Sequence, residues 1–283
     1  MSLTIYSNVD HSVAGGVREL LRSRGLLWDL ISKDLRARYR NAVMGFVWAV
    51  LQPILMMLIL YVVFGKIFGG RFAVTGGDDH PYELMLLTAL IFWQFFASAF
   101  SRATVSLIDN ADLIKKVYFP RELIPIASMG NSIVNLAIGL LVLIGMYSYH
   151  DHPVGIGVVW AGLVFVVQCA LLIGLALLCS SLNVRFRDVG YAVEVGLMMG
   201  FYATPIFYST DALRIAAGNY PAVLTLYALN PMVGIVSAYR TALLGNEFPP
   251  MSELGWPTIC ALGILIVGAF VFRRMSPTIA DHL

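Results

Sequence analysis

Four basic side chains, Lys33, Arg36, Arg38 and Arg40, crowd the stretch just ahead of a long apolar run, with Trp28 a little upstream. Arginine presents a planar fork that matches two phosphate oxygens at once, so the cluster suits a lipid diphosphate headgroup. Plain topology and attraction to anionic lipid, worth about 1 kcal/mol per basic residue, would put the same charges there without such a ligand. A second chemistry comes from rings and amides inside apolar segments. Trp48 and Gln52 lie one turn apart, Trp93 and Phe96 stand among Phe92, Gln94, Phe95 and Phe100, and Tyr202, Phe207 and Tyr208 follow Phe201. Aromatic faces suit sugar rings, whose C–H faces stack while their hydroxyls need partners. Helix packing and the aromatic belts of membrane surfaces account for single rings equally well.

Other chemistries find no footing. No GxxxxGKS or GxxxxGKT loop occurs, and FGKIFGG at 64–70 lacks the first glycine, the hydroxyl residue and the strand of a phosphate cradle. The chain is therefore expected not to bind ATP by that route. No HExxH, GxSxG or Cys/His cluster of ligand spacing is present, so catalytic and metal-binding residues are both expected to be none. Asp151 between His150 and His152 is a turn of the kind that commonly collects such residues. Ionisable side chains deep in a membrane mark function, yet the middles of the apolar segments are nearly free of them. Glu194 lies about two turns from a segment end. That sparsity counts against ion-coupled transport.

These residues sit on elements that composition identifies. Of 283 residues, 59% are hydrophobic and 13% charged, against about 25% charged in soluble domains. Uncharged runs of about 18 or more residues read as spanning helices, and the alternation of a membrane β-barrel is missing. The expectation is an all-α membrane protein with six transmembrane helices, at about Gly45–Phe68, Glu83–Ile108, Leu123–Tyr147, Val154–Leu182, Val189–Tyr208 and Leu254–Phe272. Fourteen of the nineteen lysines and arginines fall in the amino-terminal segment, the second and fourth connections and the tail. Basic residues accumulate on the cytoplasmic side, so both termini are predicted to be cytoplasmic. No secretory signal is expected in the first 40 residues. Cys169, Cys179 and Cys260 all lie in apolar runs and read as small core residues.

Between the spans, residues about 13–40 alternate leucines with basic residues and predict an amphipathic interfacial helix with its apolar face in the headgroup region. NADLIKKVYFPREL predicts a short polar helix ended by Pro120. The fifth connection, about Ser209–Glu253, is too apolar for a loop and too interrupted for a span. Re-entrant external helices, covered by protein, fit it best.

The runs WAVLQPILMMLILYVVFG at 48–65, NADLIKKVYFPRELIP at 110–125, GLALLCSSLNVRFRDV at 174–189, ALNPMVGIVSAYRTALLG at 228–245 and the ending FRRMSPTIADHL cover nearly the whole chain in order. Together they resemble the ABC-2 type permeases, and within them the polysaccharide exporters that move O-antigen, capsule or teichoic acid chains. The resemblance implies a cytoplasmic segment 1–44 with a gate helix, a transmembrane domain 45–272 and a short tail 273–283. It implies a homodimer in the bacterial cytoplasmic (inner) membrane, docked on a separate ABC ATPase subunit in a 2+2 complex. ATP and Mg would belong to that subunit, this chain would hold no cofactor, and nucleic acid would have no part. Asp112, Leu113, Lys115, Lys116 and Phe119, with Arg185 and Arg187, would contact the ATPase. Trp28, Lys33, Arg36, Arg38 and Arg40 would receive a lipid-linked glycan. Trp48, Gln52, Trp93, Phe96, Tyr202, Phe207 and Tyr208 would line its path, and Asn230–Pro231 would break an external gate. An ABC-2 drug or lipid exporter is the alternative, and a scaffold without transport a more distant one.

Overall fold

A computed structural model describes residues 24–39, 43–68, 80–117, 119–209, 213 and 221–283. All regular structure among them is helical. Helix α1 is Arg24–Tyr39, and α2 is Val43–Leu60, continued by wider π turns over Tyr61–Ile67. Next come α3 (Tyr82–Asp109), α4 (Ala111–Lys116), α5 (Leu123–Ser128) and α6 (Gly130–Tyr149). Then α7 (Gly157–Arg185) and α8 (Asp188–Tyr202) precede α9 (Pro221–Leu229), α10 (Pro231–Leu243) and α11 (Met251–His282).

Helix α3 is the hub. Leu84, Leu87, Leu90, Ala99 and Ala103 are fully buried along it, and α2, α6, α7, α8 and α10 all lean on it. The most extensive pairing joins α7 to α11. Glycine makes that pairing possible: a Cβ on Gly268 would lie 2.1 Å from the Gly174 carbonyl oxygen, and one on Gly174 would lie 2.6 Å from the Leu265 nitrogen. Lipid is as apolar as leucine, so helices in a membrane associate through such close contact and through polar links. One polar link sits at the centre. Gln168 of α7 donates to the Phe92 carbonyl at 3.0 Å and accepts from the Tyr239 hydroxyl at 2.7 Å. The Tyr239 ring stacks on Phe92, centroids 3.5 Å apart. Tyr239 and Gln168 are both wholly buried.

Among the described residues, five helices are long and apolar enough to cross a membrane, ending in the span Met251–Ala280. The expected fifth span, Val189–Tyr208, is shorter. Helix α8 stops at Tyr202, and 203–208 runs as bends. Pro205 explains the stop, because a proline clashes with an α conformation at the residue before it, here Thr204. Fifteen residues rise only about 22 Å at 1.5 Å each, short of the hydrocarbon thickness of about 30 Å. The last helix runs past the expected Phe272: 273–282 continues α11 past Pro277, and Phe272 and Ile279 are buried.

Helix α1 rests partly on its own bundle. Its apolar side, Leu27, Leu30 and Ile31, lies on protein, packed with Leu123 and Ala127 of α5 and touching Gly130. The part of the expected interfacial stretch before Arg24 lies outside the described residues.

Candidate functional site

The expected residues fall at three levels of the bundle. At the basic end, α4 grows directly from α3 through Asn110, whose amide nitrogen donates to the Ser106 carbonyl at 2.9 Å. Two adjacent apolar residues of α4 serve different neighbours. Ile114 is buried with Leu107, Val184 and Phe272 of α3, α7 and α11, while Leu113 packs on the α1–α5 cluster. Phe119, just beyond, touches both clusters. Asp112, Lys115 and Lys116 remain exposed, a small charged knob on an apolar footing. The Arg121 guanidinium donates to the Ser276 carbonyl, bracing the same end against α11.

Arg185 and Arg187 are exposed at the α7–α8 turn. Asn183 holds that turn: its amide nitrogen donates to the Thr104 carbonyl at 3.2 Å, and its oxygen accepts from the Gly190 amide at 2.9 Å. On α1, Trp28 is 67% exposed, and Lys33 and Arg36 also face outward. The Lys33 ammonium donates to Asn110 at 3.2 Å, linking the basic helix to the root of α4. Arg38 stands in the last turns of α1. Arg40 lies outside the described residues.

At mid-bundle, Trp93 and Phe96 line an apolar groove of about 500 Å³ between α3, α7 and α8, together with Phe100, Gly196, Asn230 and Pro231. Gly200 gives the Trp93 ring its room, since a Cβ there would be 2.9 Å from it. The other expected path residues do not join this groove. Trp48 and Gln52 face outward from α2, and Tyr202 is 62% exposed on α8. Phe207 is buried, its ring 4.5 Å from Phe64 at the π end of α2. Tyr208 stands beside Tyr227 of α9, ring centroids 6.3 Å apart.

At the end remote from α4, the broken stretch 203–208 is held by three side chains. Arg240 of α10 donates to the carbonyls of Ile206 at 2.9 Å and Tyr208 at 3.3 Å. The Tyr82 hydroxyl donates to the Phe207 carbonyl at 2.6 Å. Asn230 caps α10 by accepting from the Met232 amide at 3.0 Å, and donates to the Ala203 carbonyl at 3.2 Å. Irregular backbone in a membrane protein needs such cover, because no water is there to replace it. Asn230–Pro231 is thus the junction of α8, α9 and α10. A hollow of about 860 Å³ opens beside it, walled by α9, α10 and the start of α11.

Sequence reading passed over Arg240, Gln168, Tyr239 and Asn183. Arg240 carried a signal, as the one charged residue between Arg214 and Glu247. The Gln168–Tyr239 pair carried none, since its members stand 71 residues apart.

The family model for the ABC-2 type transporter matches residues 25–244, from the first residues of α1 to just past α10. The chain belongs to the ABC-2 type transporter family. This ABC-2 chain is 29% identical to the O-antigen export system permease protein RfbA of Myxococcus xanthus over 270 residues, 94% of this chain and 98% of that one. It is 28% identical to RfbA of Klebsiella pneumoniae, over 92% of this chain and 96% of that one. More distantly, it is 21% identical to the polysialic acid transport protein KpsM of Escherichia coli, over 86% and 91% of the two chains. A multi-pass transport protein, rather than an enzyme, follows from the family and the apolar helices together.

Proposed function

We propose that the chain is the membrane-spanning subunit of an ATP-driven exporter that moves a lipid-linked polysaccharide, O-antigen in first place, across the bacterial cytoplasmic membrane. The observation that carries this reading is the end-to-end similarity to O-antigen export permeases, which leaves no large part of either chain over. The similarity to capsule-type transport proteins points the same way. A drug or lipid exporter of the same architecture is the alternative, and the names of the O-antigen and polysialic acid transport relatives favour the polysaccharide reading.

In this reading two copies of the chain pair in the membrane and each seats α4 on an ABC ATPase subunit. Asp112, Lys115 and Lys116 meet that subunit, Leu113 and Phe119 support them from behind, and Arg185 and Arg187 flank them. The lipid diphosphate meets Trp28, Lys33, Arg36, Arg38 and Arg40 on the cytoplasmic side, where both termini also lie. The glycan passes between the two copies over the outward faces of α2 and α8, past Trp48, Gln52 and Tyr202. Helix α8 with the bent stretch 203–208 makes the sixth crossing, and α9 and α10 dip in from outside as the exit gate around Asn230. ATP acts through the contact with that subunit, because an equilibrium shifts only by a ligand's differential affinity for its states.

The test is co-purification with the ATPase encoded beside it, followed by vanadate-sensitive ATP hydrolysis in lipid with and without lipid-linked glycan. A stable complex stimulated by glycan is expected. A complex stimulated only by small amphiphiles would favour the drug or lipid exporter, and absence of any complex would overturn the reading. The double substitution Lys115→Glu with Lys116→Glu reverses the charge of the knob. It is expected to cut export at least about tenfold by removing interfacial charge pairs, while membrane content stays as in the wild type.

A further inference from the structure

The hollow at the end remote from α4 is chemically unlike its surroundings. It measures about 860 Å³, within the usual span of small-ligand sites, and opens between α9, α10 and the first turns of α11. Its wall carries the hydroxyls of Ser237, Thr241 and Ser252, the carboxylate of Glu253 and the rings of Tyr227 and Trp256. Two of these groups are held in place by the protein itself. The Thr241 hydroxyl donates to one carboxylate oxygen of Glu253 at 3.0 Å, fixing the carboxylate with its second oxygen still to use. The Trp256 indole N–H donates to the Leu229 carbonyl at 3.1 Å, fixing a ring that remains 43% exposed.

We propose that this hollow is a saccharide-binding site, with Trp256 as the stacking platform and Glu253 as the hydroxyl-binding carboxylate. The inference rests on the reading of the chain as a glycan exporter and adds to it a place where the emerging polymer is held. A sugar ring presents both an apolar C–H face and a rim of hydroxyl donors, and this wall offers an aromatic face beside charged and neutral acceptors. Other ligands fit less well. Glu247 and Glu253 both line the hollow, which opposes a phosphate or other anion. Arg240 also borders it, with guanidinium nitrogens donating to backbone carbonyls of the 203–208 stretch. Among the described residues no group of three His, Cys, Asp or Glu could hold a metal ion. A repeating polymer can leave such a site and re-enter it one repeat later, so a modest affinity retains the chain between steps without stopping passage.

The experiment uses the complete complex with its ATPase in lipid nanodiscs. The probe is O-polysaccharide released by mild acid from the source strain's own lipopolysaccharide, with dextran as the control, and binding is read by calorimetry. Wild type is expected to bind the released polysaccharide and not dextran. Trp256→Ala is expected to weaken binding about tenfold, and Glu253→Gln to a similar degree, the scale of one lost aromatic contact or charged hydrogen bond. Trp256→Phe keeps a ring but loses the bond to Leu229, and is expected to retain most of the affinity, which separates stacking from local support. Unchanged binding in both Trp256→Ala and Glu253→Gln overturns the proposal, as does absence of binding to the wild type. ATP hydrolysis stimulated by intact lipid-linked glycan is measured on the same samples. If stimulation persists where released polysaccharide does not bind, the site falls and the export reading stands. If stimulation is absent while Trp256-dependent binding holds, the export reading falls and the saccharide site stands.

Discussion

Helices α2 and α3 are both long and both apolar, yet 72% of the most apolar stretch of α3 is buried against 17% for α2. Helix α8 resembles α2, with Tyr191, Val195, Met198, Met199 and Tyr202 all exposed. The central helices are fixed by means that lipid cannot imitate, a backbone-to-backbone contact at Gly174 and Gly268 and the Gln168–Tyr239 link. The rim helices are fixed by little, and each departs from regular α geometry at the same end of the bundle. Helix α2 relaxes into π turns at Tyr61, and α8 breaks before Pro205. Where the core is rigid the chain has spent its small and polar residues. Where apolar faces point outward, lipid or a second copy must cover them.

Substitutions that exchange these characters test the contrast. The largest effect is expected from Gly268→Leu, whose Cβ would stand 2.1 Å from the Gly174 oxygen. Forcing α7 and α11 apart should cost more than about 4 kcal/mol and remove the monodisperse peak in size-exclusion chromatography. Gly145→Leu, with nothing within 4 Å of its Cβ, should elute as the wild type does. Arg240→Met comes next. It strips charge-assisted donors from the Ile206 and Tyr208 carbonyls, a loss of about 3 kcal/mol. Faster hydrogen exchange confined to the amides around 203–208 is the expected readout. Gln168→Leu leaves the Tyr239 hydroxyl buried without its acceptor, at about 2 kcal/mol. Adding Tyr239→Phe should recover part of the lost melting temperature, because an apolar pair is cheaper than half a polar one. The smallest change in stability belongs to the rim. Tyr202→Ala should stay within about 0.5 kcal/mol of wild type and yet lower export measurably, whereas unchanged export would remove Tyr202 from the path.

Much of the fold was legible in the order of residues, and the gaps have physical causes. Uncharged run length located α2, α3 and α7 and the start of α11 to within a few residues, because hydration of a charge opposes insertion so strongly, but it missed the continuation of α11 past Arg273 and Arg274 to His282. The short α4 and its end before Pro120 followed from a proline's missing N–H. The stop of α8 was legible too, in Thr204–Pro205, but hydropathy alone continued through it to Tyr208. For α1, periodicity revealed an apolar face but not what covers it. Leu30 and Ile31 meet protein because α5 presents Leu123 and Ala127 opposite them. Of the candidate residues, Asp112, Lys115 and Lys116 are exposed, as their charge requires, and Trp93 and Phe96 border one apolar groove. The dispersal of Trp48, Gln52, Phe207 and Tyr208 depends on helix rotation, which a local window does not contain.

The Gln168 link also sets an order of birth. At roughly 5–20 residues per second, the ribosome needs roughly 4 to 14 s to reach Tyr239, 71 residues further on. Through that interval Gln168 already sits in its helix, and the Phe92 carbonyl, made 76 residues before it, is the acceptor at hand. The amide oxygen must wait for the last part of the chain to arrive. A nascent protein halted before α10 would therefore carry one unsatisfied amide in the bilayer, a mark by which quality control could tell the unfinished molecule from the finished one.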